Sequence, residues 1–435
     1  MRKDERTRIV ALVKREVVPA IGCTEPIAVA LCVARATEAL GQMPQKIDVS
    51  LSANILKNAM GVGIPNTGKI GLPIAVALGA LCGRSVYELE VLKDVTPADV
   101  KRGQHYIDEG HISIGLKRDL CEKLYIEVAV KADNHSAHAI ISGSHTKFVE
   151  VSKDGSPLPL TVVSSIDDDD YDPTDDSWLS LHKVYEFAAT APIDEISFIN
   201  ESRTLNEAAA EQSLRGNYGH RLGKVLTRPL GRGIMGNSIF SNIISVTALA
   251  CDARMAGAMI PVMSNSGSGN QGICATLPVV KFAEENHNTD EELTRALMLS
   301  HLTAIYIKQS LGRLSALCGC VVASTGSSVG ITYLMGGSYH HIEMAVKNMI
   351  ANLTGMICDG AKPSCTLKLA SGVSTAVLSA ILAMSDECVT SAEGIIDDDV
   401  DRSIHNLTKI GKDAMCETDE CVLNIMTSKT LNSQP

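Results

Sequence analysis

Between residues 111 and 163 apolar and polar side chains alternate, while from 178 onward apolar residues recur three and four positions apart. One element type cannot serve both patterns. A strand turns successive side chains to opposite faces, whereas a helix returns to one face about every 3.6 residues. HISIGLK, KLYIEVAVKA, SAHAIISGS, TKFVEVSK and PLTVV therefore read as short strands, joined by Asp–Asn, Gly–Ser and Asp–Gly turns into an antiparallel meander. KIDVSLS, 46 to 52, is an earlier strand. Helices are expected at 5–16, 27–41, 54–63, 71–83 and 95–110, and then at 178–189, 193–214, 235–258, 272–286, 290–310, 314–335, 338–357, 365–385 and 395–428. The fold class is α+β: a small antiparallel-sheet part followed by a large, mostly α-helical domain. The expected division is residues 1–165, an acidic linker at 166–177, and 178–435. The linker carries seven aspartates and Pro173, a solvated stretch that resists helix formation.

Composition narrows the function classes. The chain is 45% hydrophobic and 20% charged, as a globular protein is, and its formal net charge is −11. No basic stretch interleaves with aromatics, which argues against nucleic acid and anionic membrane as partners. The apolar run SNIISVTALACDARMAGAMIPV is broken by Asp252 and Arg254, too early for a membrane span. The N-terminus, charged throughout, reads as an amphipathic helix and not a signal peptide, so a cytoplasmic location is expected. A small-molecule substrate and a homo-oligomer, a dimer, complete the expected partners. Thirteen cysteines, an odd number in a large chain, point to metal-binding or catalytic thiols more than to a disulfide scaffold. Cys32, Cys82, Cys251 and Cys274 lie in apolar stretches and read as core residues.

Four short stretches carry candidate chemistry. GIPNTGKI, 63 to 70, approaches a phosphate-binding loop. It ends in Ile70 where a magnesium-binding hydroxyl belongs, and no strand precedes it, so it reads as a tight turn. In GCTEP, 22 to 26, Thr24 can cap the following helix and Cys23 lies just outside its N-terminus. The helix dipole there is expected to lower the thiol pKa, which suits a base, a nucleophile or a ligand; a cysteine that simply fits the turn accounts for it equally well. SNSGSGNQG, 264 to 272, opens a helix with Ser264, Asn265, Ser266, Gly267, Ser268, Gly269 and Asn270, a donor-rich nest suited to a carboxylate or phosphate. Finally, SALCGCVVASTGSS and MICDGAKPSC place Cys318, Cys320, Cys358 and Cys365 at helix junctions. No zinc spacing is present, and an iron–sulfur cluster tolerates irregular spacing. His220 and His301 stay outside the expected site, because a lone histidine in a helical pattern is more often a structural residue.

Taken in order, GCTEP, NILKNAMGVGIPNTGKIGLPIAVALGAL, MSNSGSGNQG, RLSALC and GMICDGAKPSC resemble the bacterial and archaeal L-cysteine desulfidase family. The helical part is similar to the catalytic chain of iron–sulfur L-serine dehydratases. The resemblance runs from about residue 15 to 428. It implies a [4Fe–4S] enzyme that converts L-cysteine to pyruvate, ammonia and sulfide. It assigns the cluster to Cys318, Cys358 and Cys365, with Cys320 as the substitute for Cys318, and the base to Cys23. The alternative it leaves is an iron–sulfur L-serine dehydratase. A pyridoxal-phosphate lyase would need a Schiff-base lysine in a partner motif, and none is evident. A redox or iron sensor would need a DNA-binding or partner segment, which is also not found.

Overall fold

Alternation at 46–51 and again after 111 builds a six-stranded sheet whose buried side is continuous with the apolar helices around it. The computed structural model describes residues 1–117, 124–160, 178–312 and 315–428. Helix α1 (Lys3–Glu16) leads to strand β1 (Pro19–Ile21) and then to α2 (Thr24–Leu40), which is apolar on nearly every face. Next come β2 (Lys46–Leu51), α3 (Ala53–Ala59), α4 (Leu72–Leu81) and α5 (Pro97–Asp108). The last is closed at its start by a reciprocal Thr96–Asp99 capping box. Strands β3 (Ile112–Leu116), β4 (Tyr125–Ala132), β5 (His135–Ser142), β6 (Phe148–Lys153) and β7 (Ser156–Pro157) follow.

The sheet order is β3-β2-β4-β5-β6-β7. Strands β4 to β7 form the expected antiparallel meander. Strand β3 does not join its edge at β4. It crosses to the far side of β2 and pairs with it in parallel, Ile47 opposite Ile112 and Leu51 opposite Leu116. A parallel pair needs a long crossover, and helices α3 to α5 supply it. The Asp-rich stretch at 166–177 and part of PLTVV lie outside the described residues.

The rest is helical except for one short strand: α6 (Leu181–Thr190), α7 (Ile193–Ile196), α8 (Glu201–Arg215), α9 (Leu222–Thr227), α10 (Pro229–Met235), α11 (Ile239–Met255), β8 (Pro261–Met263), α12 (Gly269–Glu285), α13 (Asp290–Leu311), α14 (Gly319–Leu334), α15 (Tyr339–Leu353), α16 (Cys365–Met384), α17 (Val400–Lys409) and α18 (Cys416–Ser428). The architecture is thus α+β, with small sheets and a large helical part. The expected helix 193–214 is interrupted by a 3-10 turn at Ser197–Asn200, and 395–428 by a π turn at Ile410–Ala414. Helix α16 is long and apolar enough to cross a bilayer, yet half of its most apolar window is buried in the protein.

Two large apolar cores result among the described residues, with a small third cluster of Met344, Ala345 and Ala383. One joins the sheet to α2 and α4, with Cys32 at its centre. The other fills the helical bundle, and it also takes in Ile9, Leu12, Val13, Val17, Cys23 and Val62 from the first part of the chain. Strand β1 pairs with β8 in a two-stranded ribbon, Pro19 opposite Met263. That ribbon carries GCTEP to the helical part.

Candidate active site

The thiol loops meet through backbone. Leu317 and Ile357 form an isolated antiparallel bridge. Beside it Cys318 N–H donates to Met356 O at 2.9 Å, and Cys358 N–H donates to Ala316 O at 2.6 Å. Cys318 stands immediately before α14, and Cys365 opens α16 with its Sγ 3.7 Å from Gly360 O. All three are free thiols. Burial pushes Cys318 well up, and Cys320 and Cys358 push it further. Burial also raises Cys365, against the pull of Lys362, with Cys358 adding to the rise. Asp359 accepts from Lys362 and Lys368, each at 2.5 Å. Burial opposes its ionisation, but those two lysines bring it down to about 2. Cys320 turns elsewhere: its Sγ lies 3.2 Å from Lys368 O, and its pKa rises well above normal through a hydrogen bond with Cys274 and then through burial.

Among the described residues no three His, Cys, Asp or Glu stand close enough to hold a single metal ion. The donor set is three thiols from two loops, with Cys318 and Cys365 each penalised as thiolates, by burial first and then by neighbouring thiols. It suits a group that spreads positive charge over several soft iron centres better than it suits one zinc ion.

Cys23 is itself the residue that precedes α2, in extended conformation and 4% exposed; Thr24, the expected cap, is already helical. Its Sγ lies 2.8 Å from Glu25 Oε2. Burial raises its pKa well above normal, the Glu25 carboxylate adds to that, and Arg254 works against it. The expected lowering by the helix dipole is therefore corrected: desolvation outweighs the partial charge of a helix end.

The 264–270 loop is more tied down than an open nest. Ser264 N–H and Oγ both donate to Val18 O, at 2.9 and 2.6 Å, Ser266 N–H donates to Glu16 O at 2.9 Å, and Asn265 and Ser268 exchange backbone bonds. These four N–H groups are taken by the protein. Ser268 caps α12. Asn265 Nδ2 donates to His301 O at 3.1 Å and sits the same distance from His301 Nδ1, while Thr276 Oγ1 lies 2.9 Å from His301 Nε2. Burial alone drives His301 down to about 3, so it is a neutral structural partner.

Arg254 is the residue that sequence reading missed. Its Nη1 donates to Asn270 Oδ1 and its Nη2 to Gly22 O, both at 3.0 Å. It therefore clamps GCTEP to the start of α12. Asn270 Oδ1 also lies 3.7 Å from Cys251 Sγ, and Cys251 in turn interacts electrostatically with Cys365. The GIPNTGKI turn seats against the same helix end, with Gly63 N–H on Met255 O at 2.9 Å. The signal for Arg254 was visible as a charge inside an apolar helix, where it served only to exclude a membrane span.

Residues 86–424 match the serine dehydratase alpha chain family, and the chain belongs to it. That makes it a member of a group of dehydratase-type lyases. More specifically, it is similar to UPF0597 proteins: one from Bacteroides fragilis is 67% identical, over 99% of this chain and all of the relative. Another from Porphyromonas gingivalis is 51% identical over 99% of this chain and all of the relative. A third, from Oleidesulfovibrio alaskensis, is 44% identical with the same coverage.

Proposed function

We propose that this chain is an iron–sulfur-dependent lyase that removes the β-substituent of a small L-amino acid, with L-cysteine as substrate and pyruvate, ammonia and sulfide as products. Family membership gives a specific reason to keep L-serine, with water as the leaving group, as the second reading. The observation that carries the proposal is the shared hydrogen-bond acceptor Asn270 Oδ1. It ties the Cys23 loop, through Arg254, to the thiol side, through Cys251.

Cys318, Cys358 and Cys365 would hold a [4Fe–4S] cluster, which when bound supplies a Lewis acid for the leaving β-substituent. The chain's own groups do the rest. Cys23 Sγ takes the α-proton, and Glu25, 2.8 Å away, accepts the proton that the thiol gives up. The side chains around Asn270 orient the amino acid. Burial of Cys23 keeps bulk water from protonating the carbanion. Elimination leaves aminoacrylate, which hydrolyses to pyruvate and ammonia.

The test is anaerobic purification, iron and sulfide analysis, and separate assays with L-cysteine and L-serine. About four irons per chain with pyruvate and sulfide from L-cysteine support the first reading. Pyruvate from L-serine alone moves the assignment to the dehydratase. A reconstituted protein that turns over neither defeats the lyase reading.

A further inference from the structure

Two buried side chains of opposite character meet the first turn of α12, each with one polar atom left unpartnered: Arg254 from the last turn of α11, and Gln271 from that first turn itself. Arg254 is 7% exposed, and no carboxylate among the described residues lies within ion-pair distance of it. Its Nε–H has no acceptor. That nitrogen rests directly over the backbone of Gly269, where a Cβ would come within 2.3 Å of it. A guanidinium withdrawn from water normally brings a carboxylate with it, because an uncompensated buried charge is costly. Here the partners are an amide oxygen and a backbone carbonyl, both neutral. Two residues along the same turn, Gln271 is 6% exposed and its Oε1 is also buried without a donor. The Gln271 amide lies against Gly319, the residue after Cys318, with its Nε2 3.0 Å from where a Cβ of Gly319 would stand.

We infer that Arg254 and Gln271 form the α-amino-acid subsite: the guanidinium receives the substrate carboxylate, and Gln271 Oε1 receives its ammonium group. The positive end of the 17-residue helix α12 adds to the carboxylate's stabilisation. The placement suits the chemistry. Arg254 holds the carbonyl of Gly22, so the carboxylate site is one residue from Cys23. Gln271 reaches toward the start of α14, where Cys318 stands. An amino acid bound between them presents its α-carbon to Cys23 and its β-substituent to the thiol side. Gly269 is required because any side chain there would displace the guanidinium. This inference rests on the proposed amino-acid substrate and names the residues that recognise it.

The experiment is calorimetric titration of the full-length protein, prepared anaerobically, with L-alanine, which has no leaving group. L-Alaninamide and propionate serve as probes lacking the carboxylate and the ammonium. The native protein is expected to bind L-alanine and to bind each probe at least tenfold more weakly. Arg254→Lys should weaken L-alanine tenfold or more and erase the preference over the amide. Gln271→Met should weaken L-alanine and erase the preference over propionate. Native affinity and preferences in either Arg254→Lys or Gln271→Met overturn the assignment. If the native protein turns over an amino acid yet discriminates equally in all variants, the subsite is wrong and the lyase stands. If the native protein neither binds L-alanine nor turns over L-cysteine or L-serine, the lyase reading itself falls.

Discussion

At the scale of single residues, Cys23, the thiol proposed as the base, is held protonated. Burial first, and then the Glu25 carboxylate, penalise the Cys23 thiolate, with Arg254 the counterweight. In the proposed reaction a base in that state works as half of a pair, passing its own proton to Glu25 as it takes the substrate's. Cys23→Ala should therefore lower kcat by about 10²–10⁴ while iron per chain stays at the native value. Glu25→Gln should lower kcat as well, since the thiol proton then loses its acceptor. Full turnover by Cys23→Ala with an intact cluster would remove it from the chemistry. Cys23 was legible because a cysteine beside Thr-Glu-Pro marks a helix start. Its electrostatics were not, because a helix dipole can be read from sequence and depth of burial cannot. Arg254 was hidden for a related reason: its worth depends on Asn270 and Gly22, from a later loop and from the other end of the chain.

At the scale of elements, the backbone does the gathering. The Leu317–Ile357 bridge aligns two cysteine loops that are separated in sequence by α14 and α15. Gly360 fixes the second loop. It sits at φ +87°, and a Cβ there would stand 2.1 Å from Lys57 O. Gly360→Ala should therefore cost about 2–3 kcal/mol or more and lower iron content by pulling Cys358 away from Cys365. The checks are the urea midpoint of cluster-free protein and the iron content after reconstitution. Native values for both would show that the loop tolerates the side chain. Most of the elements were legible from period and caps: α5, α13 and α16 fall within two residues of expectation. The pairing of β3 was not. Strands β3 and β4 are neighbours in sequence, and nothing in their alternation separates an adjacent hairpin partner from a strand carried past β2 by the α3–α5 crossover. The β1–β8 ribbon, three residues a side, is too short to show any period, although it positions Cys23.

At the scale of the whole molecule, the buried cysteines among the described residues divide between the two large cores, and pH can tell structural thiols from those proposed to function. Cys32 is fully buried in the sheet core, with its Sγ 3.3 Å from Ala139 O and 3.8 Å from Ile126 O. Burial pushes its pKa far above the ordinary thiol value, with backbone hydrogen bonding opposing. The unfolded chain releases this proton near pH ~8.5 and the folded chain does not, so above that pH the unfolded state binds fewer protons. The contribution is fully present below pH ~8.5 and is lost as pH rises toward the folded value, at about 1.4 kcal/mol per pH unit. Cys23 is raised as well and adds to the same slope. Urea unfolding of cluster-free protein between pH 8 and about pH 10 should therefore show stability falling with pH. In Cys32→Ala the fall should be shallower by about 1.4 kcal/mol per unit, whatever the substitution itself costs at pH 8. Equal slopes for the two proteins would mean that Cys32 ionises in the folded state, which its packing in the sheet core forbids. The thirteen cysteines of the sequence could not make this distinction, since a thiol in an apolar run reads the same whether it faces a core or a cluster. Topology separates them. Cys32 is walled in by β4 and β5, whereas Cys318 and Cys365 stand at helix starts and Cys358 in the loop between α15 and α16, where a backbone bridge brings separate segments together.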